Sequence, residues 1–252
     1  MQDPIVAAWI VAFAFLLAGL VKGVVGMGLP TVAIGILGIV MAPVQAAALL
    51  IVPSLVTNIW QYVAGPNLGA PARRFATLLV GVCLGTGLGI GVLTGGATGL
   101  ASAALGTVLA VYGAIGLISA RLRVAPQSEC WLSPLIGVFT GLLAGATGVF
   151  AIPAVPYFSA LGLEKESLIQ TLGLFFTVCT VALAVGLMAH GQFSFQVATG
   201  SLLALIPALF GMLLGQRVRN RLNPIAFRRW FCIGLVVLGA YMALRATFKA
   251  LA

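Results

Sequence analysis

Apolar residues run along this chain in long stretches, and polar residues fall in short clusters between them. The stretches do not alternate with period two, so they predict helices rather than strands. The expected segments are approximately 5–23, 30–41, 44–64, 75–92, 99–120, 132–146, 153–162, 167–189, 196–216 and 230–248. Several are long enough for a hydrocarbon core about 30 Å thick. Others are not. From Trp9, an expected interface anchor, to Gly23 is about 14 residues, or ~21 Å, and segment 30–41 is only ~18 Å long.

The short pieces flank one unusual stretch, Gly19 to Pro30, which reads GLVKGVVGMGLP. A second copy runs from Gly141 to Pro153 and reads GLLAGATGVFAIP. A shift of 122 positions places Gly19, Gly23 and Gly26 on Gly141, Gly145 and Gly148, and Trp9 on Trp131. Two pieces of ~20 Å joined by a glycine-rich turn predict a re-entrant hairpin in each half. Three full spans then follow each hairpin. The expectation is an all-α, polytopic transmembrane helical bundle. Its two inverted repeats, residues 1–125 and 126–252, form one integral membrane unit.

Composition supports lipid as the solvent. Hydrophobic residues make up 62% of the chain and charged residues 7%, against roughly 25% charged in soluble domains. Backbone groups in lipid must pair internally, which leaves helices or closed barrels. The opening stretch has Asp3 in place of a basic region, so it does not read as a cleavable signal. Cys83, Cys130, Cys179 and Cys232 lack metal-ligand spacing and read as small packing residues.

The net charge of +9 does not imply nucleic acid, because the cations gather at segment ends. With the loop of Arg121 and Arg123 in the cytoplasm, Arg73, Arg74, Lys165, Arg217, Arg219, Arg221, Arg228 and Arg229 also fall inside. The N-terminus is then outside. Arg245 and Lys249 are the misfits. An even number of crossings per half would put the arginine-rich loop outside, against the positive-inside rule. The glycine spacings Gly85–Gly89 and Gly211–Gly215 read as close helix packing, and Pro53 and Pro207 as kinks.

Candidate chemistry follows from the breaks. Pro30 and Pro153 suit the first position of a returning half-helix, whose free N–H groups and positive dipole end suit an anion. Gly23, Gly26, Gly28, Gly145 and Gly148 let backbone approach a ligand. That these glycines only permit tight turns stays open. Lys22 is the one cation well inside an apolar segment, a functional candidate by its cost. It either meets an anion or snorkels towards the cytoplasm. The equivalent residue in the second copy is Ala144. Asn58, mid-span, is the next candidate, with Thr180 as its repeat partner. Gln61, Thr31, Thr147, Gln170, Thr171 and Thr177 are further polar positions, though threonines often bond back to their own helix. Tyr62, Trp60 and Trp230 read as interface anchors. Asp3, Glu129, Glu164 and Glu166 all map outside the spans, and His190 sits at a span end. No catalytic constellation, cofactor motif or metal set is expected.

The two glycine-rich stretches and the duplicated plan resemble the TauE/SafE family of sulfite exporters, also called toluene sulfonate uptake permeases. The resemblance spans nearly the whole chain and is strongest in the hairpins. It implies a multi-pass carrier in a bacterial inner membrane for sulfur-containing anions such as sulfite, sulfoacetate or aromatic sulfonates. Many family sequences have a fuller glycine run than Gly26-Met27-Gly28, and Phe150 stands where the first copy has Gly28. A cytoplasm-negative potential drives an anion outward by ~2.3 kcal/mol per charge per 100 mV, which favours export without a coupling ion. The expected mechanism is alternating access around two hairpin tips. An anion channel, an uptake permease for sulfonates or small carboxylates, and an intramembrane enzyme are the alternatives. The expected partners are a small anionic substrate and the bilayer, without nucleic acid. A homodimer is left open.

Overall fold

The computed structural model describes residues 4–96, 98–118, 123–219, 221 and 224–251. Asp3 and Arg121 lie outside these residues. The described residues form α1 (Pro4–Val25), α2 (Leu29–Val40), α3 (Pro43–Leu49), α4 (Ile51–Val63), α5 (Gly69–Arg74), α6 (Ala76–Thr94), α7 (Thr98–Ile118), α8 (Pro126–Thr147), α9 (Ala154–Ala160), α10 (Lys165–Ala189), α11 (Phe195–Arg219) and α12 (Pro224–Leu251). Seven of them are long and apolar enough to cross a membrane, or up to eight spans if α3 and α4 form one bent span. This is a multi-pass membrane protein. Its outer face agrees, since Trp9, Trp60, Trp131 and Trp230 are all exposed.

The two hairpins differ from the expected pair of half-length arms. Helix α1 continues through Gly23 to Val25, and α8 through Gly145 to Thr147. Each has 22 residues, or ~33 Å, a full crossing. Counting from Trp9 made the first arm look short, but the helix starts before that residue. Only the second arms are short, with 12 residues in α2 and 7 in α9. Each long arm ends in the same way: the N–H of Gly26 bonds the Lys22 carbonyl, and that of Gly148 bonds the Ala144 carbonyl, both at 2.7 Å. Gly26 and Gly148 have φ of 84° and 75°, a region that costs other L-residues about 1–2 kcal/mol. Pro30 lies in the first turn of α2, as expected. Pro153 instead caps α9 from outside.

Glycines set the main helix pairings. Gly19 and Gly23 of α1 lie against Ala208, Met212 and Gly215 of α11, while Gly141 and Gly145 of α8 lie against Val82, Thr86 and Gly89 of α6. A Cβ on Gly23 would stand 2.3 Å from the Met212 carbonyl oxygen, and one on Gly145 2.5 Å from that of Thr86. Both pairs run parallel, because contact positions rise together along the two helices. Helices α7 and α12 pack antiparallel, with Gly106 near Ala243 and Gly113 near Cys232. The expected packing role of Gly85, Gly89, Gly211 and Gly215 is therefore seen, and Gly23 and Gly145 share it.

The expected kink near Pro53 is a break at Leu50 that bends α3 from α4 by 45°. Proline cannot donate to the carbonyl four residues earlier, which is that of Leu49. Ser201 of α11 fills the gap. Its Oγ donates to the Leu49 carbonyl at 2.7 Å and accepts from the Val52 N–H at 3.0 Å. Pro207 lies inside α11, which continues past it. Cys179 and Cys232 are buried, but Cys83 and Cys130 are exposed, so the packing role fits only the first two.

Candidate anion site beside Lys22

The one cation placed within an apolar segment is buried. Lys22, in the last turn of α1, is 4% exposed. Its Nζ donates to Thr57 Oγ1 at 3.1 Å and, more closely, to Asn58 Oδ1. The hydroxyl proton of Thr57 is already committed to the Pro53 carbonyl at 2.7 Å, so its oxygen is free to accept. Both partners are neutral. Among the described residues no carboxylate lies within salt-bridge distance of Lys22; the Arg74–Glu129 pair is elsewhere. An ammonium with hydrogen bonds but no counter-charge is costly in a low-dielectric interior.

Lys22 borders a cavity of about 350 Å³, lined also by Gly26, Gln61, Glu166, Gln216 and Arg219. Gly26 leaves its side open: a Cβ there would have Ile169 Cγ1 as nearest neighbour at 4.0 Å. Of these lining residues Gln216 and Glu166 are exposed and Arg219 is half-buried. Asn58 Nδ2 is buried without a partner, a donor held in reserve next to the ammonium.

Of the ten expected site residues, the fold brings Lys22, Gly23, Gly26, Asn58 and Gln170 to this place. Gln170 lines the cavity, but its amide is spent on the chain reversal after α4. Nε2 donates to the Tyr62 carbonyl at 3.0 Å, and Oε1 accepts from the Asn67 N–H at 3.3 Å. Gly28 and Thr31 are buried and line neither cavity flanking the first turn. The second turn is packed solid. A Cβ on Gly148 would stand 2.4 Å from Ile34 Cδ1, and Val149, Phe150 and Ala151 are 0–2% exposed. Thr147 is fully buried and bonds back to the Leu143 carbonyl at 2.6 Å. Gly145 faces α6. Among the described residues, the second turn lines neither of the cavities that flank the first. Thr177 and Thr180 also bond back to their own helix.

Among the lining residues outside the expected set are Thr57, Glu166, Gln216 and Arg219. Thr57 adjoins Asn58, and its position one turn after Pro53 could have marked it. Glu166 is expected outside the spans and Arg219 in a cytoplasmic loop; the packing of α11 on α1 and of α10 on α4 brings both to the cavity.

A model of the sulfite exporter TauE/SafE family matches residues 11–242. This chain belongs to the TauE/SafE family. It is also similar to the probable sulfite/organosulfonate exporter TauE of Cupriavidus necator, with 27% identity over 230 residues, covering 88% of each chain. No solved structure matches. A TauE/SafE protein is a membrane transporter rather than an enzyme, so the chemistry required near Lys22 is recognition, without bond making.

Proposed function

We propose that this TauE/SafE protein exports a small sulfur-containing anion, sulfite or an organosulfonate, through the cavity beside Lys22. One observation carries the reading: a buried ammonium with neutral hydrogen-bond partners and, among the described residues, no carboxylate within salt-bridge distance, at the wall of a cavity. A bound anion would supply the missing counter-charge. Lys22 provides the charge, Asn58 and Thr57 hold its direction, and Asn58 Nδ2 offers a neutral donor. The name of the Cupriavidus necator relative supports the sulfur-anion class.

Alternating access between inverted repeats is part of the same proposal. Exchanging residues 1–125 with 126–252 exchanges the α1–α11 pairing for α8–α6 and returns α7–α12 to itself. Helices α6 and α10 run parallel, with Cys83 near Thr177 and Ile90 near Gly186. Consecutive spans α10 and α11 must alternate, so α1, parallel to α11, opposes α8, parallel to α6. This supports inversion. Only the first repeat keeps the charged site, since Ala144, fully buried, stands for Lys22. The gathering of arginines at the cavity end supports a cytoplasmic mouth, an outer N-terminus and an inner-membrane location. Outward movement of an anion then follows the membrane potential.

The test is sulfite binding and flux with purified protein. Saturable flux in liposomes that disappears in Lys22→Met is expected. Wild-type flux in that variant would remove the site. Flux that never saturates would favour a channel of the same plan.

A further inference from the structure

A second cavity, of about 510 Å³, lies on the other side of the first turn. Val25 and Met27 line it, while Gly26 between them lines the Lys22 cavity. Among the described residues its charged groups are Arg123 and Arg228, and no carboxylate borders it. Its remaining walls are largely apolar, with Tyr112 and Phe231 packed edge to face at 6.4 Å between centroids and Ile115, Val155 and Leu168 beside them. Arg123 lies in the loop before α8 and Arg228 near the start of α12, and the outer faces of α7 and α12 carry exposed Ile118, Trp230 and Val237.

We propose that this cavity holds the phosphate headgroup and upper acyl chain of an anionic phospholipid. Two guanidinium groups suit a phosphodiester, which each can grip with paired N–H donors. Basic pockets between spans at the charge-rich side take such headgroups. A small inorganic anion would satisfy the arginines but leave the apolar wall wet. A lipid satisfies both, and its remaining chain stays in the bilayer beside α7 and α12. Val25 and Met27 touch this cavity, so the lipid lies on the opposite side of the turn from the anion site.

The experiment is native mass spectrometry of full-length protein in detergent, with phosphatidylglycerol and phosphatidylcholine of matched chains. The wild type should retain phosphatidylglycerol in preference. Arg123→Gln/Arg228→Gln should lower that retention by roughly thirtyfold, from the loss of two basic residues near an anionic headgroup. Arg217→Gln/Arg229→Gln, of equal charge at the same end, should retain it. Equal loss in both double variants, or none in the first, would overturn the proposal. So would displacement of the lipid by equimolar inorganic phosphate, which would make this a small-anion site. Sulfite binding is read in parallel. It should survive in Arg123→Gln/Arg228→Gln, which shows that variant to be folded. Lys22→Met should lose sulfite but keep lipid, so the two sites fail separately.

Discussion

Replacing Lys22 with methionine keeps most of the side-chain volume and removes the charge. At about 4 Å and an effective dielectric of about 20, an ammonium and an anion attract by ~4 kcal/mol. Exposed Gln216 and Glu166 at the mouth admit water, and screening reduces this to roughly 2 kcal/mol, or ~30-fold in Kd. The fold should tolerate the change. It removes a buried ammonium without a counter-charge, and it leaves Asn58 Oδ1 unpaired at a cost of about 1–3 kcal/mol. The two effects oppose each other. Isothermal calorimetry of sulfite with detergent-purified protein measures the affinity, and elution profile and helical circular dichroism check folding. Lys22→Arg should recover part of the affinity, because it restores the charge. A folded Lys22→Met protein whose sulfite Kd stays within twofold of wild type would refute the argument.

The other predictions concern the same cavity and its supports. Glu166→Gln should tighten sulfite binding by about twofold, since it removes a carboxylate from the cavity wall; unchanged or weaker binding in calorimetry would show that Glu166 does not face the anion. Gly26→Ala should keep the fold with a strain of about 1–2 kcal/mol, whereas Gly148→Ala adds a 2.4 Å approach to Cδ1 of the buried Ile34 side chain, which must shift, and should lower the detergent melting temperature further. Equal melting temperatures would contradict the packed second turn. Gly23→Ala and Gly145→Ala place a Cβ 2.3 Å and 2.5 Å from facing carbonyl oxygens. Each should destabilise by at least 1–3 kcal/mol, the usual cost of overpacking, and wild-type melting would refute the close approach. Ser201→Ala leaves the Leu49 carbonyl and Val52 N–H without their bridge, at about 1–3 kcal/mol. Faster amide exchange over residues 49–54 is expected, and unchanged exchange would show the bend to be self-supporting.

The sequence alone determined what depends on solvent and local backbone. Apolar runs with few charges can be stable only as helices in lipid, so the helical membrane class needed no coordinates. The breaks were also legible, because Gly26, Gly28 and Gly148 with Pro30 and Pro153 are local backbone constraints. Lys22 and Asn58 stood out because polar groups in apolar segments are costly wherever the segment packs. Tertiary structure decided which glycine does what. Gly19, Gly23, Gly26, Gly145 and Gly148 look alike in sequence, yet Gly23 and Gly145 admit a facing helix, Gly148 is packed against Ile34, and Gly26 leaves its side of the Lys22 cavity open. It also decided that Glu166 and Arg219 share a cavity with Lys22, and that Gln170 is spent holding the turn after α4. These outcomes rest on contacts between residues distant in the sequence, and no local pattern encodes which faces of two helices meet.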